Sequence, residues 1–133
     1  MTPQQQTELV RIASEARSTA YAPYSKYHVG AALIATSGRI FSGCNVENAS
    51  YGLCFCAERT AIVKAVSEGE TQFTAIAVAT DGGGTPCGAC RQFLAEFCGS
   101  SMIVIVHDVS KPDEDVHYTL EDLLPHAFRM ENI

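Results

Sequence analysis

The chain has 133 residues, 47% of them apolar and 18% charged, and a formal net charge of −6. That length suits one domain with its own hydrophobic core, residues 1–133, and the composition excludes a disordered chain. No Lys/Arg-rich run is present to neutralise phosphates, so long nucleic acid is disfavoured as a partner and a small neutral ligand is favoured.

The opening residues, Met1 to Gln6, lack a basic segment followed by an apolar one. No apolar run reaches membrane-spanning length, so a cytoplasmic protein without a membrane partner is expected. Six cysteines could form a disulfide framework. With no secretion signal and a core that needs no staples, reduced thiols are the better reading, which points to metal binding or catalysis.

A first helix is predicted from Thr2-Pro3, with Leu9, Ile12, Ala13, Ala16 and Ala20 as its buried stripe. Ala22-Pro23-Tyr24-Ser25 breaks it. Val29–Ala35 and Arg39–Asn45 read as strands joined by a turn at Thr36-Ser37-Gly38. After a loop at Asn48–Leu53, a second helix covers Ala57–Glu68, facing inward through Ala57, Ala61, Ile62, Ala65 and Val66. Gly69 ends it. Thr74–Thr80 and Met102–His107 are short apolar runs, as expected of strands covered by helices on both faces. Between them Gly88–Phe97 reads as a helix, and a last short helix runs from Thr119 to before Pro125. The order gives an α/β domain with helices covering a sheet. Asp81-Gly82-Gly83-Gly84 lacks the ending of a phosphate-binding loop and reads as a mobile surface turn.

The chemistry sits in Cys56-Ala57-Glu58 and Pro86-Cys87-Gly88-Ala89-Cys90, each at the start of a predicted helix. Residues three apart on a first helical turn share one side, so Cys87 and Cys90 can meet one metal. A helix N-terminus favours thiolate over thiol. Cys56 supplies a third sulfur, and three ligands leave one tetrahedral position on zinc for water. Glu58 can then act as the proton shuttle. A Cys-x-Glu followed by Pro-Cys-x-x-Cys is the zinc-deaminase signature. Ligand count alone leaves a rival, because Cys54 could close a four-cysteine structural site. A closed site has no use for Glu58. Three thiolates also leave a net negative metal centre, which Arg59 is placed to offset.

At these residues, and along most of its length, the sequence resembles the small homotetrameric cytidine deaminases. The likeness includes Ala22 to Tyr27, Val29 to Leu33, Gly43 to Tyr51, Cys56 to Ala61, Pro86 to Gln92 and Leu123 to Phe128. The Asn45-Val46-Glu47-Asn48-Ala49 segment is its most specific part. The resemblance implies a three-layer α/β/α sandwich around a mixed five-stranded sheet, one strand more than the residues themselves suggest. It also implies one Zn²⁺ per subunit on Cys56, Cys87 and Cys90, with Cys54 a bystander and Glu58 catalytic. Asn45 and Glu47 would hydrogen-bond the ribose, and the Ala57 amide would contact the cytosine carbonyl. Tyr27, where the family usually has Phe, would flank the nucleoside. Ala49, Tyr51 and Phe128 would reach the site from neighbouring subunits, with Phe128 stacking on the base. The implied reaction is hydrolysis of cytidine and 2′-deoxycytidine to the uridine nucleosides and ammonia, as in pyrimidine salvage. His28, His107, His117 and His126 share no ligand spacing with the cysteines, and Cys44 and Cys98 read as small buried hydrophobes.

Overall fold

A computed structural model of the chain describes residues 1–130. Helix α1 spans Pro3–Ala16 and opens on a reciprocal cap. The Thr2 hydroxyl accepts from the Gln5 amide at 3.1 Å, and the Gln5 side chain accepts from the Thr2 amide at 2.9 Å. Only Leu9 and Ala13 of its predicted stripe are buried; Ile12 and Ala16 are half-buried. The helix tightens into a 3₁₀ turn at Arg17–Thr19, which leaves Ala20 outside the helical face.

Strands β1 (Gly30–Ala35) and β2 (Ile40–Cys44) form the predicted antiparallel hairpin. Gly38, at φ 94°, supplies the left-handed residue of its turn. Helix α2 (Ala57–Ser67) follows, then β3 (Phe73–Thr80), α3 (Gly88–Phe97) and β4 (Ile103–Asp108). The chain then adds β5 (Val116–Thr119) and α4 (Leu120–Leu123), which is capped by Thr119. Residue patterning gave no strand at 116–119. This strand lies at the sheet edge, paired with β4 alone, and its first two residues are exposed, so no apolar run marks it.

The sheet order is β2-β1-β3-β4-β5, with β3 and β4 parallel and the other pairs antiparallel. It is the mixed five-stranded sheet expected. Leu9 and Ala13 of α1 pack on one face, against Ala32, Ile34, Ala75, Ala77 and Ile105. The other face carries Leu33, Ile76, Val104 and Val106 against Ala61, Ile62, Leu94 and Ala95 of α2 and α3. Side chains alternate across a strand, so consecutive apolar residues feed two cores. That is why β3 and β4 read as unbroken apolar runs.

The helices lie so close to the sheet that two glycines are required. A Cβ at Gly43 would come within 2.5 Å of the Ala61 nitrogen and 2.6 Å of the Ala57 oxygen in α2. At Gly30 it would meet the Ala13 oxygen of α1 at 1.9 Å. Backbone cannot move aside as a flexible side chain can. Gly43→Ala is therefore expected to destabilise the fold by about 1–3 kcal/mol. Calorimetry on the purified variant checks this, and an unchanged Tm would contradict the packing described.

Candidate active site

Cys56 is the residue preceding α2 and Cys87 the residue preceding α3; Cys90 lies in the first turn of α3. The two helices start side by side, so their amide-rich ends converge on the sulfurs. Cys56 Sγ lies 3.8 Å from Cys87 Sγ, which lies 3.4 Å from Cys90 Sγ. All three sulfurs fall within 4.8 Å of one another. Zinc–sulfur bonds of about 2.3 Å in a tetrahedron put sulfurs about 3.8 Å apart, so the cluster suits a Zn²⁺ ion. Among the described residues, no other group of three His, Cys, Asp or Glu side chains comes close enough to share a metal.

Cys54 is not in the cluster. Its sulfur accepts from the Asn48 amide at 3.3 Å and faces the Asn48 carbonyl at 3.5 Å, which ties it to the preceding loop. The closed four-cysteine alternative therefore has no fourth sulfur in place. All six cysteines are free. Hydrogen bonding from Cys90, helped by Arg59 and Cys87, holds the Cys56 thiol well below its ordinary range despite burial. Cys98 is buried as expected, whereas Cys44 is only half-buried, its thiol facing the Thr19 carbonyl at 3.5 Å.

Cys56 and Cys87 border a cleft of roughly 270 Å³ whose lining includes Tyr27, Asn45, Glu47, Ala57, Glu58 and Thr80. Glu58 is 4% exposed, and burial pushes its carboxyl up to about 7. An acid on the first turn of a helix is ordinary; one sunk into the floor beside three sulfurs is not. Also on the lining, Glu47 accepts from the amides of Tyr24 at 3.0 Å and Ser25 at 3.2 Å, and from the Ser25 hydroxyl. The Ser25 hydroxyl and these amides keep its carboxyl below the usual range. Asn45 accepts from the Val29 amide at 2.9 Å and donates to the Tyr27 carbonyl at 2.7 Å. Each amide group retains a further lone pair or proton for a ligand.

Residues 3–106 match the family described as the cytidine and deoxycytidylate deaminase zinc-binding region. The chain belongs to that deaminase family. It is 48% identical over 128 residues to the cytidine deaminase of Sporosarcina psychrophila, covering 95% of this chain and 93% of that one. Identity to the cytidine deaminase of Halalkalibacterium halodurans is 46% over 127 residues, covering 94% and 95% of the two chains. The crystal structure of cytidine deaminase from Burkholderia pseudomallei superposes with a TM-score of 0.87 at 45% identity, over 96% of this chain and 100% of that one.

Within this deaminase fold the structure places the remaining predicted residues unevenly. Arg59 donates to the Cys54 carbonyl at 3.0 Å and to Cys56 Sγ at 3.8 Å, and its guanidinium lies 4.9 Å from the centre of the Phe55 ring. Its Nε is buried without a partner among the described residues. A cation fixed against a thiolate offsets part of the cluster's negative charge. Ala49, Tyr51 and Phe128 do not line the cleft of their own chain; all are exposed, Tyr51 by 76% and Phe128 by 70%.

Residue patterning also missed what steadies the cleft wall. The glycine run is a pinned turn, with the Gly82, Gly83 and Gly84 amides all hydrogen-bonded. Arg91 donates to the Pro86 carbonyl at 2.7 Å, the Thr85 hydroxyl at 2.9 Å and the Leu123 carbonyl at 2.8 Å. Gln92 holds the Phe128 carbonyl at 2.7 Å. The Arg91-Gln92 pair thus ties the tail to the segment before Cys87. Their place next to the ligand motif was the signal available; their partners lie 32 and 36 residues away in sequence.

Proposed function

We propose that this protein is a zinc-dependent cytidine deaminase, converting cytidine and 2′-deoxycytidine to uridine and 2′-deoxyuridine with release of ammonia. One observation supports the reading above all others. Three convergent cysteine sulfurs, two of them lining a cleft, share it with a buried glutamate and with a fixed carboxylate and amide. Cys56, Cys87 and Cys90 would hold one Zn²⁺ per subunit. When bound, the ion supplies Lewis acidity that lowers the pKa of water toward neutrality.

Glu58 takes the proton of the attacking water and delivers it to N3 of cytosine. Protonated N3 makes C4 electrophilic, the water oxygen adds there, and Glu58 carries the second proton to the 4-amino group. The C4–N bond breaks and ammonia leaves. Asn45 and Glu47 hold the ribose hydroxyls, the Ala57 amide meets the cytosine carbonyl, and Tyr27 flanks the sugar and base. Arg59 tempers the charge of the three thiolates.

Subunit contacts complete the site in this reading. Tyr24, Tyr51, Leu53, Phe55 and Phe128 are exposed, and the Tyr24 and Tyr51 rings meet edge to face at 6.3 Å between centroids. So much apolar surface near one cleft suits burial between copies. We assign the protein as a single-domain homotetramer of the cytoplasm, serving pyrimidine salvage, with Ala49, Tyr51 and Phe128 donated to neighbouring sites. Among the described residues no helix is long and apolar enough to cross a membrane.

Among the described residues of one chain, no lysine or arginine lines the cleft, and Glu47 adds negative charge there. A nucleotide phosphate would find no cation from this chain. Ultraviolet absorbance with the zinc-loaded protein tests the substrate class. Cytidine and deoxycytidine are expected to be consumed, with kcat/KM for free cytosine and for cytidine 5′-monophosphate lower by at least about 100-fold. Comparable turnover of the monophosphate would overturn the nucleoside assignment.

A further inference from the structure

Strands β3 and β4 end in register, Thr80 opposite Asp108, and the chain turns across that edge through residues 81–84. Thr80 Oγ1 accepts from the Gly83 and Gly84 amides, each at 2.9 Å. Asp108 Oδ1 accepts from the Gly82 amide at 3.0 Å, and from the Ser110 amide and hydroxyl at 2.9 and 2.7 Å. Two side chains at neighbouring strand ends therefore fix three consecutive amides of a segment that has no side chains of its own.

Such a segment needs fixing. Gly82 and Gly83 adopt φ of 104° and 73°, conformations that glycine reaches at no steric cost. Glycine also has the most backbone freedom to lose on ordering. The segment leads directly into the cleft wall, since Gly84 and Thr85 line it and Cys87 follows. A Cβ on Gly84 would stand 3.6 Å from the Tyr27 hydroxyl, so the turn faces Tyr27 across the cleft.

We propose that Thr80 and Asp108 are positioning residues that set the width of the nucleoside cleft by holding the glycine turn opposite Tyr27. The proposal rests on the nucleoside reading above. Asp108 does not line the cleft and acts only through the turn; Thr80 borders it, but its oxygen already serves two amides.

Three zinc-loaded variants test it, each assayed for cytidine kinetics, zinc content and hydrogen exchange of residues 81–86. Thr80→Val keeps the shape and removes the acceptor, Thr80→Ser restores the acceptor, and Asp108→Ala frees Gly82. Thr80→Val and Asp108→Ala are expected to raise KM about tenfold with kcat within about threefold, at full zinc content and with faster exchange. Thr80→Ser is expected to stay within about twofold of the parent in KM. Should Thr80→Val fail to fold, Asp108→Ala decides the matter. Unchanged KM in folded, zinc-loaded variants overturns the proposal, and so does a kcat loss at constant KM. If the parent itself leaves cytidine untouched, the nucleoside reading falls. Hydrogen exchange then still tests the clamp, which unchanged exchange at 82–84 would refute.

Discussion

Glu58→Gln is expected to lower kcat for cytidine by roughly 10³-fold while leaving zinc content and fold intact. The side chain is 4% exposed on the first turn of α2, beside Cys56 and Cys90. An amide fills the same volume and still hydrogen-bonds, but it cannot accept the water's proton or return one to N3. A buried carboxylate costs stability unless well partnered, and the neutral amide relieves that cost. The variant should therefore melt at or above the parent's temperature while losing its chemistry. A steady-state assay beside calorimetry separates the two effects. Near-normal kcat would remove Glu58 from the proton path.

Cys87→Ala is expected to lose zinc and activity together, with metal content falling below about a tenth of an equivalent after dialysis. Cys87 stands between the other two sulfurs, 3.8 Å from one and 3.4 Å from the other. Its removal leaves two protein ligands, too few for a stable zinc site. Cys87 is exposed and precedes α3, outside either core, so the folded chain should survive its loss. Cys54→Ala is the companion variant and should keep its zinc, because its sulfur is engaged with Asn48. Atomic emission on both proteins gives the comparison. A fully loaded Cys87→Ala would take that residue out of the ligand set.

The sequence carried much of this because its strongest signals are local. The cap at Thr2, the turn at Gly38, the end of α2 at Gly69 and the start of α3 after Cys87 are each set by residues within a few positions. The ligand motifs are local too, which is why both Cys-x-Glu and Cys-x-x-Cys could be placed on helix starts. What escaped depends on partners distant in sequence. β5 is a strand because β4 offers it an edge, and Val116 and Tyr118 alone are too short an alternation to announce it. The glycine turn looked free because Asp108, 26 residues on, anchors it. Nothing local to Arg91 marks its bond to the Leu123 carbonyl, 32 residues away. Spacing left Cys54 as a rival ligand; only the loop geometry turned it toward Asn48.

In the proposed reaction three cysteines hold a zinc ion with which Glu58 deaminates cytidine. It is tested most directly by measuring ammonia and uridine from cytidine before zinc removal, after it and after readdition. Equal amounts of both products are expected from protein carrying one zinc per subunit, none once a chelator strips the metal, and recovery when zinc returns. Undiminished turnover by the stripped protein, or none by the fully loaded one, would contradict it.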